Sequence, residues 1–179
     1  NSVISNVKYV IAKLVTERYI KNKASSFFVK NDGWKKIILQ LFNISAKKIS
    51  DIPLGADLEL FKSDDETRKT LRKQLGLSSE DFVVVYSGKI TPSKKLHVLF
   101  RAIASIIKQD PKVNLLIVGR GEIAYIRQLE ELAISLGISK NIIFHSWVTR
   151  TTLPKFYNAA DIAVWPGSTS ISIIEAASV

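Results

Sequence analysis

Three groups of residues have the types and spacing to hold a charged, hydroxylated ligand. Gly167, Ser168, Thr169 and Ser170 stand directly before the run ISIIEAAS, which carries Glu175. If a helix starts near Ser170, its unpaired N–H groups and the neighbouring hydroxyls can donate to a diphosphate. Glu175, more than a turn further on, can accept from the vicinal hydroxyls of a ribose. The plain alternative is a capped helix with a solvent-facing glutamate. The second group is GKITPSKK, residues 88–95, in which Gly88 allows close backbone approach and Lys89, Lys94 and Lys95 precede a helix. Cations there oppose the helix dipole, so they suit a place where a phosphate offsets them. Three lysines pointing into water are the alternative. The third group is GRGE, residues 119–122, whose glycines read as a tight strand-to-helix turn with Gly121 near a ligand. It is an incomplete GxGxxG, and GKITPSKK lacks the spacing of a phosphate-binding Walker loop, so neither motif specifies a nucleotide by itself.

The composition closes off other chemistry. With no cysteine and only two histidines, His97 and His145, the chain has no disulfide, no thiolate nucleophile and no zinc pattern. The net charge of +10 is split evenly between residues 1–60 and the remainder. Such a field favours phosphorylated small molecules, polyanions or an anionic membrane surface. No arginine-rich helix, aromatic and basic sheet motif or zinc finger supports specific nucleic-acid readout. There is no run of about eighteen apolar residues and no signal-peptide pattern at the N-terminus, which reads as a cytoplasmic protein. The chain holds no methionine. It therefore reads as a segment of a longer protein, or as a sequence from which modified methionines have been omitted.

The elements that must position these groups follow from hydrophobic periodicity. Residues 7–21 predict an amphipathic helix with Val10, Ile11, Leu14 and Val15 on one stripe, 25–29 a short strand and 34–42 a helix. Pro53, Gly55 and the run DDET at 64–67 mark residues 52–66 as a boundary. Beyond it, helices at 67–75, 95–109, 122–136, 152–159 and from 170 alternate with strands at 82–87, 113–119, 141–145 and 161–165. The helix at 95–109 is expected to turn Leu96, Leu99, Phe100, Ile103 and Ile106 toward a sheet. This alternation predicts an α/β, doubly wound, Rossmann-like parallel sheet flanked by helices, ending abruptly at Val179. Ligands of such sheets sit beyond the carboxyl ends of the strands, where all three groups of residues fall, together with the loop HSWVTRTT at 145–152.

The ordered set IPLGADLELF, VVVYSGKITPSKKLHVLFRAI, VNLLIVGRGE, IIFHSWVTRTTLPKFYNAADIAVWP and SISIIEAAS resembles the nucleotide-sugar-binding C-terminal domain of family 4 glycosyltransferases, which are two-domain enzymes of the GT-B type. The resemblance implies that residues 1–51 are the tail of an N-terminal, acceptor-side domain, 52–66 a linker, and 67–179 a nucleotide-sugar-binding domain incomplete at its C-terminus. It implies transfer of a hexosyl-type unit, with retention, from a nucleoside-diphosphate sugar to the hydroxyl of a carbohydrate, polysaccharide or lipid-linked acceptor. No cofactor or metal is implied, and peripheral contact with the anionic inner face of a membrane is a further expectation. The family's arginine and lysine after the first strand fall on Lys89 and Lys94, the implied catalytic cations, and Lys95 stands where a glycine is common. Gly88, Gly121, Ser168, Thr169 and Ser170 are the implied donor-binding turns. Of the family's two glutamates, the second matches Glu175 as ribose ligand, and the first falls on Gly167. The competing readings are a noncatalytic nucleotide- or polyanion-binding protein of this fold and a GT-B nucleotide-sugar epimerase.

Overall fold

The structure is a computed structural model that describes residues 2–167 and 170–179, without the side chains of residues 2–6, 8, 9, 16, 17 and 41. It divides into two compact units, Asn1–Leu54 and Gly55–Val179. In the first, helix α1 (Ser2–Val15) leads into a π-helical turn at Thr16–Ile20 rather than one continuous helix to residue 21. The junction falls on the β-branched pair Val15 and Thr16, residue types that crowd the preceding helical turn. Strand β1 (Phe27–Val29) pairs in parallel with β2 (Ile49–Asp51). Helix α2 (Asp32–Leu41) between them is capped by Asn31, whose side chain accepts from the Trp34 amide at 3.0 Å. Val29, Ile44 and Ile49 form the small core of this unit. Among the described residues no helix is long and apolar enough to cross a membrane.

The second unit is the predicted α/β sheet. Strands β3 (Phe82–Ile90), β4 (Val113–Gly121), β5 (Ile142–His145) and β6 (Ile162–Ala163) lie in the order β5-β4-β3-β6, all parallel. Alternation along β3 sends Val84, Tyr86 and Ile90 to one face and Val83 and Val85 to the other, and both faces are buried. Helices α4 (Leu96–Ile107) and α5 (Ile123–Leu136) cover the first face, while α3 (Asp65–Gln74) and α6 (Leu153–Ala159) flank the second, where Phe61, Phe156 and Tyr157 fill the core. On α4 the buried residues are Leu96, Leu99, Phe100, Ile103, Ala104 and Ile107. Ile106 is instead exposed, because steps of four and seven from Leu96, Phe100 and Ile103 continue the stripe through Ile107. Each fully buried Leu, Ile or Phe on such a stripe contributes about 2 kcal/mol relative to exposure.

Three strands differ in length from expectation. β3 and β4 run three and two residues further than the apolar runs, to Ile90 and Gly121. Their register sets Gly88 opposite Gly119, so the ladder continues where side chains would have stopped it. In contrast β6 has only two ladder residues, although 161–165 reads as strand. It pairs with β3 alone, and Trp165 leaves the ladder so that its indole Nε1 donates to the Ser87 carbonyl at 2.9 Å.

A polar clamp holds the opposite, amino ends of β3 and β6. Arg68 pairs with Asp161 at 2.5 Å and donates to the carbonyls of Asn158 and Ala160. Buried Arg72 donates to the carbonyls of Ala159, Ser78 and Asp81 and lies 3.5 Å from the second Asp161 oxygen. Burial alone would raise the Asp161 pKa, but the Val83 amide, the Arg68 hydrogen bond and the charges of Arg68 and Arg72 outweigh it. The carboxyl is held below its ordinary value of 3.8. A depressed carboxylate pKa contributes stability that is complete above the ordinary value and is lost as pH falls through the lower folded value. Asp161→Asn is therefore expected to unfold more readily than the parent at about pH 7, with the gap narrowing as the pH is taken below 3.8. Urea titrations at neutral and acid pH check this, and an undiminished gap in acid would show that the charge of Asp161 is not what holds the clamp.

Candidate functional site

The sheet order fixes where a ligand belongs. From β3 the chain winds outward through β4 to β5, then returns to the other side of β3 as β6, so the winding reverses between β3 and β6. Loops leaving the carboxyl ends of two such strands diverge and open a crevice. Here they are the segment after β3, which carries Lys94, and the segment after β6, which carries Gly167.

These two segments touch. A Cβ at Gly167 would lie 2.6 Å from the carbonyl carbon and the Cα of Lys94 and 2.6 Å from the Ser93 carbonyl oxygen. No side chain fits there without moving that backbone. Pro92–Lys94 forms a 3-10 turn, with the Thr91 and Ser93 hydroxyls 3.0 Å apart. Lys94 is half-buried, while Lys89 is exposed at the end of β3 rather than in a loop, and its carbonyl accepts from the Tyr86 hydroxyl at 2.7 Å. Burial, and after it the neighbouring Tyr125, push that Tyr86 hydroxyl up to about 12, so it remains a neutral donor. Lys95 is exposed and left-handed at φ 55, and it opens α4. The lysines thus lie along one segment whose course is set by β3 and α4.

The glycines of the third group act as strand residues. A Cβ at Gly119 would run into the Gly88 carbonyl oxygen and one at Gly121 into that of Ile90. Gly88 itself has φ 138, a conformation open to glycine. Gly121 is exposed at the end of β4, and its backbone approaches that of Ile90 on β3 too closely for a side chain. Arg120, between them, lies over the exposed Trp147 ring, 5.6 Å from its centroid. His145 packs on Phe156 with ring centroids 4.5 Å apart, and its Nδ1 lies 2.9 Å from the Ser146 carbonyl oxygen, so it is engaged locally. His97 is exposed on α4.

After β6, Ser170 is the N-cap of α7 (Ile171–Ala177), and its hydroxyl oxygen accepts from the Ser172 amide at 3.2 Å. Ser168 and Thr169 lie outside the described residues. Glu175 departs from the solvent-facing alternative: it is 4% exposed, and its Oε1 accepts from Arg150 Nε at 3.1 Å. Nearby, the Ser87 and Tyr157 hydroxyls are 2.7 Å apart. Burial raises the Tyr157 pKa, and the charge of Glu175 adds to this against hydrogen bonds from Ser87 and Ser172. Through Ser87, Tyr157 and Trp165, the end of β3, helix α6 and the segment after β6 become one hydrogen-bonded body. Arg150 and Ser87 were not singled out by sequence. Arg150 is one of many basic residues, and only its place in the loop 145–152 hints at the rim. Among the described residues no group of three or more His, Asp or Glu is placed to hold a metal ion.

Comparison with known proteins agrees with this architecture. The family described as Glycosyl transferases group 1 matches residues 67–179. D-inositol 3-phosphate glycosyltransferase 2 of Catenulispora acidiphila is 31% identical over 162 residues, covering 87% of this chain and 38% of that protein. The GDP-mannose-dependent alpha-(1-6)-phosphatidylinositol monomannoside mannosyltransferase of Mycolicibacterium smegmatis is 29% identical over 118 residues, covering 66% of this chain and 30% of that protein. The crystal structure of Anabaena Alr3699/HepE in complex with UDP-glucose superposes with a TM-score of 0.78 at 24% identity, covering 97% of this chain and 47% of that one. The chain thus spans less than half the length of each of these relatives. The fold is the α/β, Rossmann-like parallel sheet of GT-B C-terminal domains.

Proposed function

Because the chain belongs to the group 1 glycosyltransferases, we propose that residues 67–179 hold the nucleoside-diphosphate half of a nucleotide sugar. Residues 1–51 are then the tail of an acceptor-side domain, and family 4 is the branch that the motifs favour. The observation that carries this reading is the contact of Gly167 with the Ser93–Lys94 backbone. It brings the two segments flanking the reversal point together, with cationic side chains on one and a helix start on the other.

Lys89 and Lys94 are assigned to the diphosphate. Lysine keeps the charge of the arginine common at the first position but lacks its two-pronged fork, so attraction is retained with looser geometry. Ser170 is assigned to the same anion, Gly88 and Gly121 to close backbone approach to it, and Glu175 to the ribose. In the complete enzyme the bond between the anomeric carbon and the diphosphate oxygen breaks as the acceptor oxygen bonds to that carbon. The acceptor proton passes to the departing diphosphate on the same face, giving retention. The lysines stabilise the growing negative charge on the leaving group, which speeds the step only insofar as they bind it more tightly than the substrate. The acceptor is a carbohydrate or lipid-linked hydroxyl presented by the other domain.

A second reading, binding without transfer, is favoured by Gly167 itself. The family's first glutamate, which approaches the transferred sugar, has no room at this position.

Calorimetric titration with UDP and GDP tests the binding step. The double variant Lys89→Ala/Lys94→Ala is expected to lose affinity by about a hundredfold, about 1.4 kcal/mol per charge-assisted contact. Failure of the parent to bind either diphosphate, or an unchanged affinity in the double variant, would remove the assignment.

A further inference from the structure

Glu175 presents a problem that the donor-site reading leaves open. An ionised carboxylate on a residue only 4% exposed needs compensation, since an uncompensated buried charge is strongly destabilising. Its partner is Arg150, which approaches through Nε alone, at 3.1 Å from Oε1. The arginine therefore does not use its two-pronged fork on this carboxylate. Among the described residues no group donates to Glu175 Oε2, so this oxygen keeps its accepting capacity. Arg150 is itself fixed from another side. Its guanidinium carbon lies 5.5 Å from the centroid of the Phe61 ring, which is fully buried in the core beneath it. Stacking on an immobile ring limits the guanidinium to few orientations. More than half of the Arg150 side chain stays exposed.

From these observations, and resting on the assignment of Glu175 to the donor ribose, we propose that Arg150 is a positioning residue. It binds Oε1, holds the Glu175 carboxylate in one rotamer, and so leaves Oε2 to accept from the ribose diol. Phe61 acts through Arg150 as the platform that fixes the guanidinium plane. The loop 145–152 thereby contributes to recognition of ribose without touching it. Loss of an ion pair that merely tied this loop to α7 would instead weaken the fold and the binding of all nucleotides alike. The positioning role predicts an effect on one part of the ligand, the 2′-hydroxyl.

The test compares UDP and GDP with their 2′-deoxy counterparts by calorimetry, with thermal unfolding followed alongside. The variants are Arg150→Met, which keeps the side-chain bulk over Phe61 and removes the charge, Arg150→Lys and Glu175→Gln. In the parent, loss of the 2′-hydroxyl is expected to weaken binding about tenfold, the scale of one hydrogen bond to a charged group. Arg150→Met and Glu175→Gln should both bring that ratio close to one, and Arg150→Lys should restore part of it. If Arg150→Met lowers affinity for ribose and deoxyribose ligands equally and keeps their ratio, Arg150 is structural and the inference fails while the diphosphate assignment stands. If the parent binds diphosphates but does not distinguish the two sugars, the ribose role of Glu175 falls and that of Arg150 with it. If the parent binds no diphosphate, the donor-site reading itself is overturned.

Discussion

Replacing Gly119 by alanine is expected to unfold the second unit at a temperature about 10 °C below the parent, more than any single core truncation of one methylene would produce. The reason is geometric. β3 and β4 pair over nine residues each, and the methyl group would enter the space of the Gly88 carbonyl oxygen. That obstacle is backbone in the central pair of the sheet and cannot rotate aside as a side chain would. Relief requires the two strands to part by about an ångström or more, breaking ladder bonds and disturbing both core faces, at a cost of about 3 to 5 kcal/mol. Against a total stability of about 5 to 15 kcal/mol this is a large fraction. The measurement is a thermal melt followed by far-ultraviolet circular dichroism. A midpoint unchanged from the parent would mean that the strands do not approach this closely.

The second large effect is expected of Gly167→Glu, the change that restores the carboxylate common in the family. Restoration should not help. The new Cβ would sit 2.6 Å from the Lys94 carbonyl carbon and Cα and from the Ser93 carbonyl oxygen, so the segment carrying Lys94 must shift. The expected cost is about 2 kcal/mol of stability, and the displaced lysine and added negative charge should weaken UDP or GDP binding at least about tenfold. Equilibrium unfolding and calorimetry read the two effects separately. Undiminished affinity together with an unchanged melting point would show that the crevice has room for the family's glutamate. The absence of that residue would then say nothing about how the two segments meet.

Much of the scaffold was legible because its signals are local. The run FVVVYS announces a strand buried on both faces, and the structure buries residues 83–87 accordingly. What followed was not legible, since GKI carries a glycine and a lysine and continues as strand only because Gly119 lies opposite Gly88. The same dependence on a distant neighbour explains Trp165, which reads as a strand residue but is drawn out by the Ser87 carbonyl. It also explains Ile107, whose burial in place of Ile106 is a matter of phase along α4.

At the site, residue types pointed to the rim, and the reversal of winding brings the segments of Lys94 and Gly167 into contact there. Glu175 was legible as a candidate but not as a buried one. Its compensation comes from Arg150, 25 residues earlier, a separation at which sequence spacing carries no geometric information. The glycine at 167 was readable only as a missing acid. In the structure it has a positive reason, the Ser93–Lys94 backbone against which it lies.

Lys95 extends this logic to the start of α4. A left-handed residue with a Cβ costs about 1 kcal/mol that glycine would not, and the position is one where glycine is at home. In return the chain keeps a permanent cation beside a helix start, where a glycine would offer only N–H groups. The first turn of α4 is thus a spring held partly compressed by its own sequence, giving up local stability for a standing electrostatic field.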